Sequence, residues 1–75
     1  MYLSLIMKNI EIQRFAKNMK KIREKNGLSQ GDIHRKTKID RAYISNLEAG
    51  KQNPTLGTMS KIAEALGVGV SDLIK

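Results

Sequence analysis

Residues 29–50 read SQGDIHRKTKIDRAYISNLEAG, and this stretch contains the start of two separate helices. Ser29 is a good N-cap for a short helix, QGDIHRKT, because its hydroxyl can accept from a free backbone N–H of the first turn. Asp32, three positions on, completes what resembles a capping box with a shorter acid. Asp40 is a second N-cap, for a helix over residues 41–49, and Gly50 ends it. Each helix is about eight residues long and the link between them about three. So short a link excludes antiparallel packing and forces the two helices to cross steeply. That is a helix-turn-helix unit, placed at about residues 29–49.

The second helix of this pair has an unusual outer face. Ile44 and Leu47 are three apart and bury together on one side. Arg41, Ala42, Ser45 and Asn46 then face outward. An exposed Arg at the positive end of a helix is electrostatically misplaced, so a ligand explains Arg41 better than solvent does. An α-helix fits the major groove of B-form DNA, whose base edges carry a distinguishable donor and acceptor pattern. There Arg can bond bidentately to guanine, Asn to adenine and Ser to either kind of edge, while the Ala methyl can touch thymine.

Outward from this unit, the remaining chain also reads as helix. Ile12, Phe15, Met19 and Ile22 make one stripe of a helix from near Asn9 to Asn26, which Gly27 closes. Pro54 keeps Asn53 out of the helical region, so KQNP turns or extends. Thr55 caps a fourth helix with Leu56, Met59, Ile62, Ala63 and Leu66 inside, and Gly67 ends it. Gly69 or Ser71 opens a last short turn with Val70, Leu73 and Ile74. Nothing alternates with strand periodicity. The expected fold is all-α with five helices, residues 10–75 forming one domain behind an extension over residues 1–9. Met7 offers an alternative start; against that, the apolar MYLSLIM could pack on the core or on a second subunit.

Composition narrows the function. The 75 residues carry a net charge of +7, and twelve of the fourteen Lys and Arg residues fall between Lys8 and Lys51. An anionic partner is expected to meet that part of the chain. The last third is close to neutral, which makes Val68, Val70, Leu73 and Ile74 the expected interface of a homodimer. With no cysteine there is no disulfide or thiolate site, and a reducing, cytoplasmic address fits. One histidine and seven scattered carboxylates assemble neither a catalytic centre nor a metal site, and no cofactor is expected. No stretch has the ~18 apolar residues of a membrane span.

From Phe15 to Ile74 the chain resembles the Cro/C1-type (XRE family) helix-turn-helix regulators. The resemblance is carried by KKIREKNGLSQ (20–30), IDRAYISNLEAGKQNPTL (39–56) and KIAEALGV (61–68), and DRAYIS is also similar to the controller proteins of restriction–modification systems. It implies a compact, lambda-repressor-like DNA-binding domain. Arg41, Ala42, Ser45 and Asn46 match its base-reading positions. Ser29 and Gln30 match the helix start that meets a phosphate, and Tyr43, Lys51 and Asn53 match positions that often touch the sugar-phosphate chain. Arg23 and Glu48 match a charged pair tying the first helix to the third. Two departures stand out. His34 replaces the small residue expected where the second and third helices come closest, and Lys38 replaces the turn Gly. A non-Gly residue in the left-handed region costs about 1–2 kcal/mol, so a longer or differently wound turn is expected.

The function expected is sequence-specific binding of double-stranded DNA by a homodimeric transcription regulator, with no small-molecule ligand. Two other readings compete. One is an antitoxin-like module that holds a partner protein. The other is a membrane-surface peptide, prompted by the basic first helix; five coherent caps argue against it. Single residues have plainer readings too. Lys20, Lys21 and Lys25 could be solvated surface, and Tyr43 could simply pack over Ile39.

Overall fold

The computed structural model describes residues 9–75; of the expected extension over residues 1–9, residues 1–8 lie outside them and Asn9 already belongs to the first helix. Five helices follow in order: α1 (Asn9–Lys25), α2 (Gln30–Thr37), α3 (Arg41–Glu48), α4 (Leu56–Leu66) and α5 (Val70–Ile74), with no strand among the described residues. Their order and type follow the sequence reading; α1 and α3 each stop one residue earlier than expected.

The helix starts form where the caps predict. Ser29 Oγ accepts from the Asp32 N–H at 3.0 Å, and the Asp32 carboxylate accepts from the Ser29 N–H at 2.8 Å. Both halves of the capping box are therefore present. Asp40 Oδ2 takes the N–H groups of Ala42 and Tyr43 at 3.1 and 3.3 Å, and Thr55 Oγ1 takes that of Thr58 at 3.1 Å. At α5 the opener is Gly69 rather than Ser71. Glycine has no side chain to cap with, so only the reciprocal bond exists, from the Gly69 N–H to Asp72 at 3.0 Å.

Helices α1, α3 and α4 end alike. The N–H two places past the last turn reaches back five residues, as in Leu28 to Arg23, Lys51 to Asn46 and Val68 to Ala63, at 2.9–3.0 Å. That closure needs a left-handed residue, which at the end of α3 is Gly50 with φ +74°. A β-carbon there would also meet the end of the Gln13 side chain at 2.5–2.8 Å and push that amide aside.

One core gathers the inner faces: Phe15, Met19, Ile33, Ile44, Leu47, Met59, Ile62, Ala63, Leu66 and Leu73; Leu56, expected inside, is instead 69% exposed at the start of α4. Helix α2 packs on α3 and α4, while α1 packs on α3 and α5, so within the central unit α2 is braced by α4 and α3 by α1. Two asparagines of the α1 region fasten distant ends. Asn18 Nδ2 donates to the Leu73 and Lys75 carbonyls at 3.1 and 3.0 Å, and Asn26 Nδ2 to Leu66 at 3.1 Å. Each satisfies carbonyls that the end of a helix leaves unpaired.

Candidate nucleic-acid interface

The turn between α2 and α3 sets the angle at which α3 leaves the body. It is short, not the longer turn that was one of the two expectations, and it takes the strain at Lys38. Lys38 takes φ 64°, ψ 11°, a left-handed conformation unusual for a residue with a β-carbon. Its neighbours hold it there. The Lys38 N–H donates to the His34 carbonyl at 2.8 Å. Thr37, buried, donates its hydroxyl to Ile33 at 2.7 Å and accepts from the Ile39 N–H at 3.1 Å. His34 is exposed, not wedged between helices, and its Nδ1 lies 2.7 Å from the Ile39 carbonyl. A carbonyl oxygen can only accept, so this contact requires the proton on Nδ1.

With the turn held, α3 divides cleanly. Ile44 and Leu47 are wholly buried, whereas Arg41, Ala42 and Ser45 are exposed and Asn46 is half-buried. The four residues expected to read bases therefore lie along the outer side and its flank. Tyr43 is half-buried and packs against the core, Lys51 is exposed, and Asn53 is half-buried with its Oδ1 covered and unpartnered among the described residues.

Beneath that face, Glu48 joins three helices. Its side chain is 4% exposed and that of Arg23 10%. Arg23 Nε donates to Oε2 at 2.6 Å and Nη2 to Oε1 at 3.0 Å, while Nη1 donates to the Leu28 carbonyl at 2.7 Å. Gln30 Nε2 adds a third donor to the carboxylate at 3.0 Å. The Glu48 hydrogen bonds raise the pKa of Arg23, outweighing the opposing effect of burial. Gln30, expected at a phosphate, thus has one amide N–H engaged inside the protein, and the Ser29 hydroxyl is engaged as a cap.

The C-terminal residues separate. Leu73 is wholly buried in its own chain's core and cannot offer its side chain to a second subunit, a correction to the expected interface. Val68 and Val70 are half-buried and Ile74 is 42% exposed. Sequence reasoning also passed over three residues at this face. Gln13 Nε2 donates to the Gly50 carbonyl at 3.4 Å from 37 positions away, which no local pattern announces. Gly31 and Arg35 lie one helical turn apart beside Arg41, and only the i, i+4 spacing hinted at it.

The chain is 41% identical over 68 residues to control protein C.MunI of Mycoplasma sp, covering 89% of this chain and 90% of that one. Its fold superposes on the restriction–modification controller protein C.AhdI from Aeromonas hydrophila with a TM-score of 0.81, at 28% identity and covering 85% and 97% of the two chains. It also matches the restriction–modification controller protein C.Esp1396I, solved as a tetramer in complex with its natural 35 base-pair operator, with a TM-score of 0.74, 28% identity and coverage of 85% and 95%. The helix-turn-helix family HTH_3 matches residues 19–73, which span the C-terminal part of α1 from Met19 and everything through Leu73. On that match, and on two capped helices joined through a left-handed turn, the chain belongs to the HTH_3 (XRE) family of helix-turn-helix proteins.

Proposed function

We infer that this protein is a sequence-specific double-stranded DNA-binding transcription regulator that works as a homodimer, with α3 in the major groove. The observation that carries the reading is the division of α3, whose Ile44 and Leu47 are locked in the core while Arg41, Ala42 and Ser45 stand in solvent. A rod with one face anchored and the other bearing base-reading groups is suited to a groove of helix width. The relatives support it: C.Esp1396I was solved on its operator, and C.MunI and C.AhdI are control proteins of the same size class. Control of a restriction–modification system is the corresponding cellular role.

A single α3 reads few base pairs, so two copies related by a two-fold axis supply the affinity that one lacks. Val68, Val70 and Ile74 form the subunit contact in this reading. Lys51, Asn53 and the start of α2 at Ser29 and Gln30 meet the sugar-phosphate chain, and Tyr43 lies between packing and backbone contact. No catalysis and no cofactor enter the proposal. Among the described residues no helix is long and apolar enough to cross a membrane, and the proposed location is the cytoplasm.

The test is selection of bound sequences from a random duplex library, followed by titration at several salt concentrations. A palindromic site with half-sites about one DNA turn apart is expected. If each subunit neutralises about four phosphates, log K should fall against log [salt] with a slope near −7. Vesicle binding without duplex affinity at low salt would overturn the reading.

A further inference from the structure

Gly31 has no side chain, and two guanidinium groups from different helices lie over it. A β-carbon on Gly31 would lie 3.5 Å from Nη1 of Arg35 and 3.5 Å from Nη1 of Arg41. The two nitrogens are therefore no further apart than the sum of those distances. Gly31 is buried although it lies in the first turn of an eight-residue surface helix, while both arginines are exposed. Arg35 comes from the next turn of α2, and Arg41 reaches back from the start of α3.

The charges are uneven. Arg35 is held through Nη2 by Asp32, which orients its guanidinium without using Nη1. Arg41 has no carboxylate partner among the described residues. Two cations this close repel each other, and the arrangement turns favourable when an anion lies between them. Charge-assisted N–H···O bonds run at about 2.7–2.9 Å, and a phosphate can accept from a different donor on each non-bridging oxygen.

We propose that Arg35 is a DNA-contacting residue, and that Arg35 and Arg41 together clamp one backbone phosphate over the bare surface of Gly31. The proposal rests on the duplex-binding reading above and names a contact which that reading did not contain. The missing β-carbon keeps the floor of the clamp flat, and the first N–H groups of α2 place the positive end of a helix dipole beside it. The clamp uses Nη1 of Arg41 and leaves Nε and Nη2 for a base edge. The phosphate would thereby also fix the angle at which Arg41 enters the groove, making Arg35 a positioning residue for base reading.

The experiment places a single methylphosphonate, which lacks the charge, at successive positions of the selected duplex. The wild-type protein should lose affinity at each contacted phosphate, and roughly tenfold at the clamped one in each half-site. Arg35→Ala should bind the unmodified duplex roughly tenfold more weakly and be indifferent to the methylphosphonate at that position. Arg35→Lys keeps the charge opposite Asp32 but not the planar fork, and should fall between. The Arg35 side chain is 69% exposed, so circular dichroism and melting should show both variants folded. Failure of the wild-type protein to bind any duplex at low salt would remove the underlying reading. Tight binding by the wild-type protein, with Arg35→Ala equally tight or still as sensitive as the wild type at each phosphate where the wild type responds, would overturn the clamp alone.

Discussion

Arg23 and Glu48 stand 25 residues apart in the chain and meet as a two-pronged ion pair, Nε to Oε2 at 2.6 Å and Nη2 to Oε1 at 3.0 Å. Through it the end of α1 grips the end of α3 directly beneath the exposed face. A pair this covered holds geometry more than it adds net stability, since both charges have been taken out of water.

The first prediction follows from that asymmetry. Glu48→Ala strands the Arg23 guanidinium, whose side chain is 10% exposed, and should cost about 3–5 kcal/mol in a urea melt. Replacing both partners by apolar residues, Arg23→Met with Glu48→Leu, should recover most of that loss. A cost of Glu48→Ala below about 1 kcal/mol would mean the pair is exposed in solution.

A second concerns Lys38, held at φ 64°. Lys38→Gly removes the steric penalty of the left-handed conformation but loosens the unfolded chain. The net expectation is a stabilisation of about 0.5–1 kcal/mol, read as a higher urea midpoint at unchanged slope. Lys38→Ala retains a β-carbon and should give no such gain.

At the DNA face, Arg41→Ala and Lys51→Ala should behave differently although both remove one exposed cation. The first should erase about 1–3 kcal/mol of preference for the selected site over random duplex. The second should weaken both duplexes alike and flatten the salt slope by about one. Fluorescence anisotropy on the two duplexes measures both effects. Loss of affinity without loss of preference in Arg41→Ala would remove Arg41 from base reading.

The fourth prediction is a pH dependence. The Ser29 N–H, then the Ser29 hydroxyl and Arg35, hold the Asp32 carboxyl below its ordinary 3.8. The Gly69 N–H, then Lys75, do the same for Asp72. A carboxyl whose folded pKa is lowered stabilises the fold above its unfolded pKa and loses that contribution as pH falls through the lowered value. The melting temperature should therefore drop on acidification from about pH 5 towards pH 2. Asp32→Asn or Asp72→Asn should lower it at neutral pH and make the acid limb shallower.

Much of the architecture is local and so was legible. Ser29, Asp32, Asp40 and Thr55 cap helices through bonds to N–H groups two or three residues away. Gly27, Gly50 and Gly67 each take the positive φ that closes a helix. Interactions of such short range are written in the sequence because the residues that make them are neighbours in it. The division of α3 was legible for the same reason, since Ile44 and Leu47 share one side by periodicity alone.

Local pattern alone thus gave five helices in order, the ends of α1 and α3 to within a residue, and the side chains that α3 turns outward. Tertiary structure decided the rest, because it depends on contacts between residues far apart in the chain. It buried Leu73 in the core rather than leaving it for a partner, and drew Gln30 onto Glu48. It set Asn18 and Asn26 on the ends of α5 and α4, and Gln13 on Gly50. It held Lys38 in a strained turn through Thr37 and His34 where Gly was expected. It also brought Arg35 and Arg41 together over Gly31, a meeting that exists only because α3 crosses α2 at the angle this packing imposes.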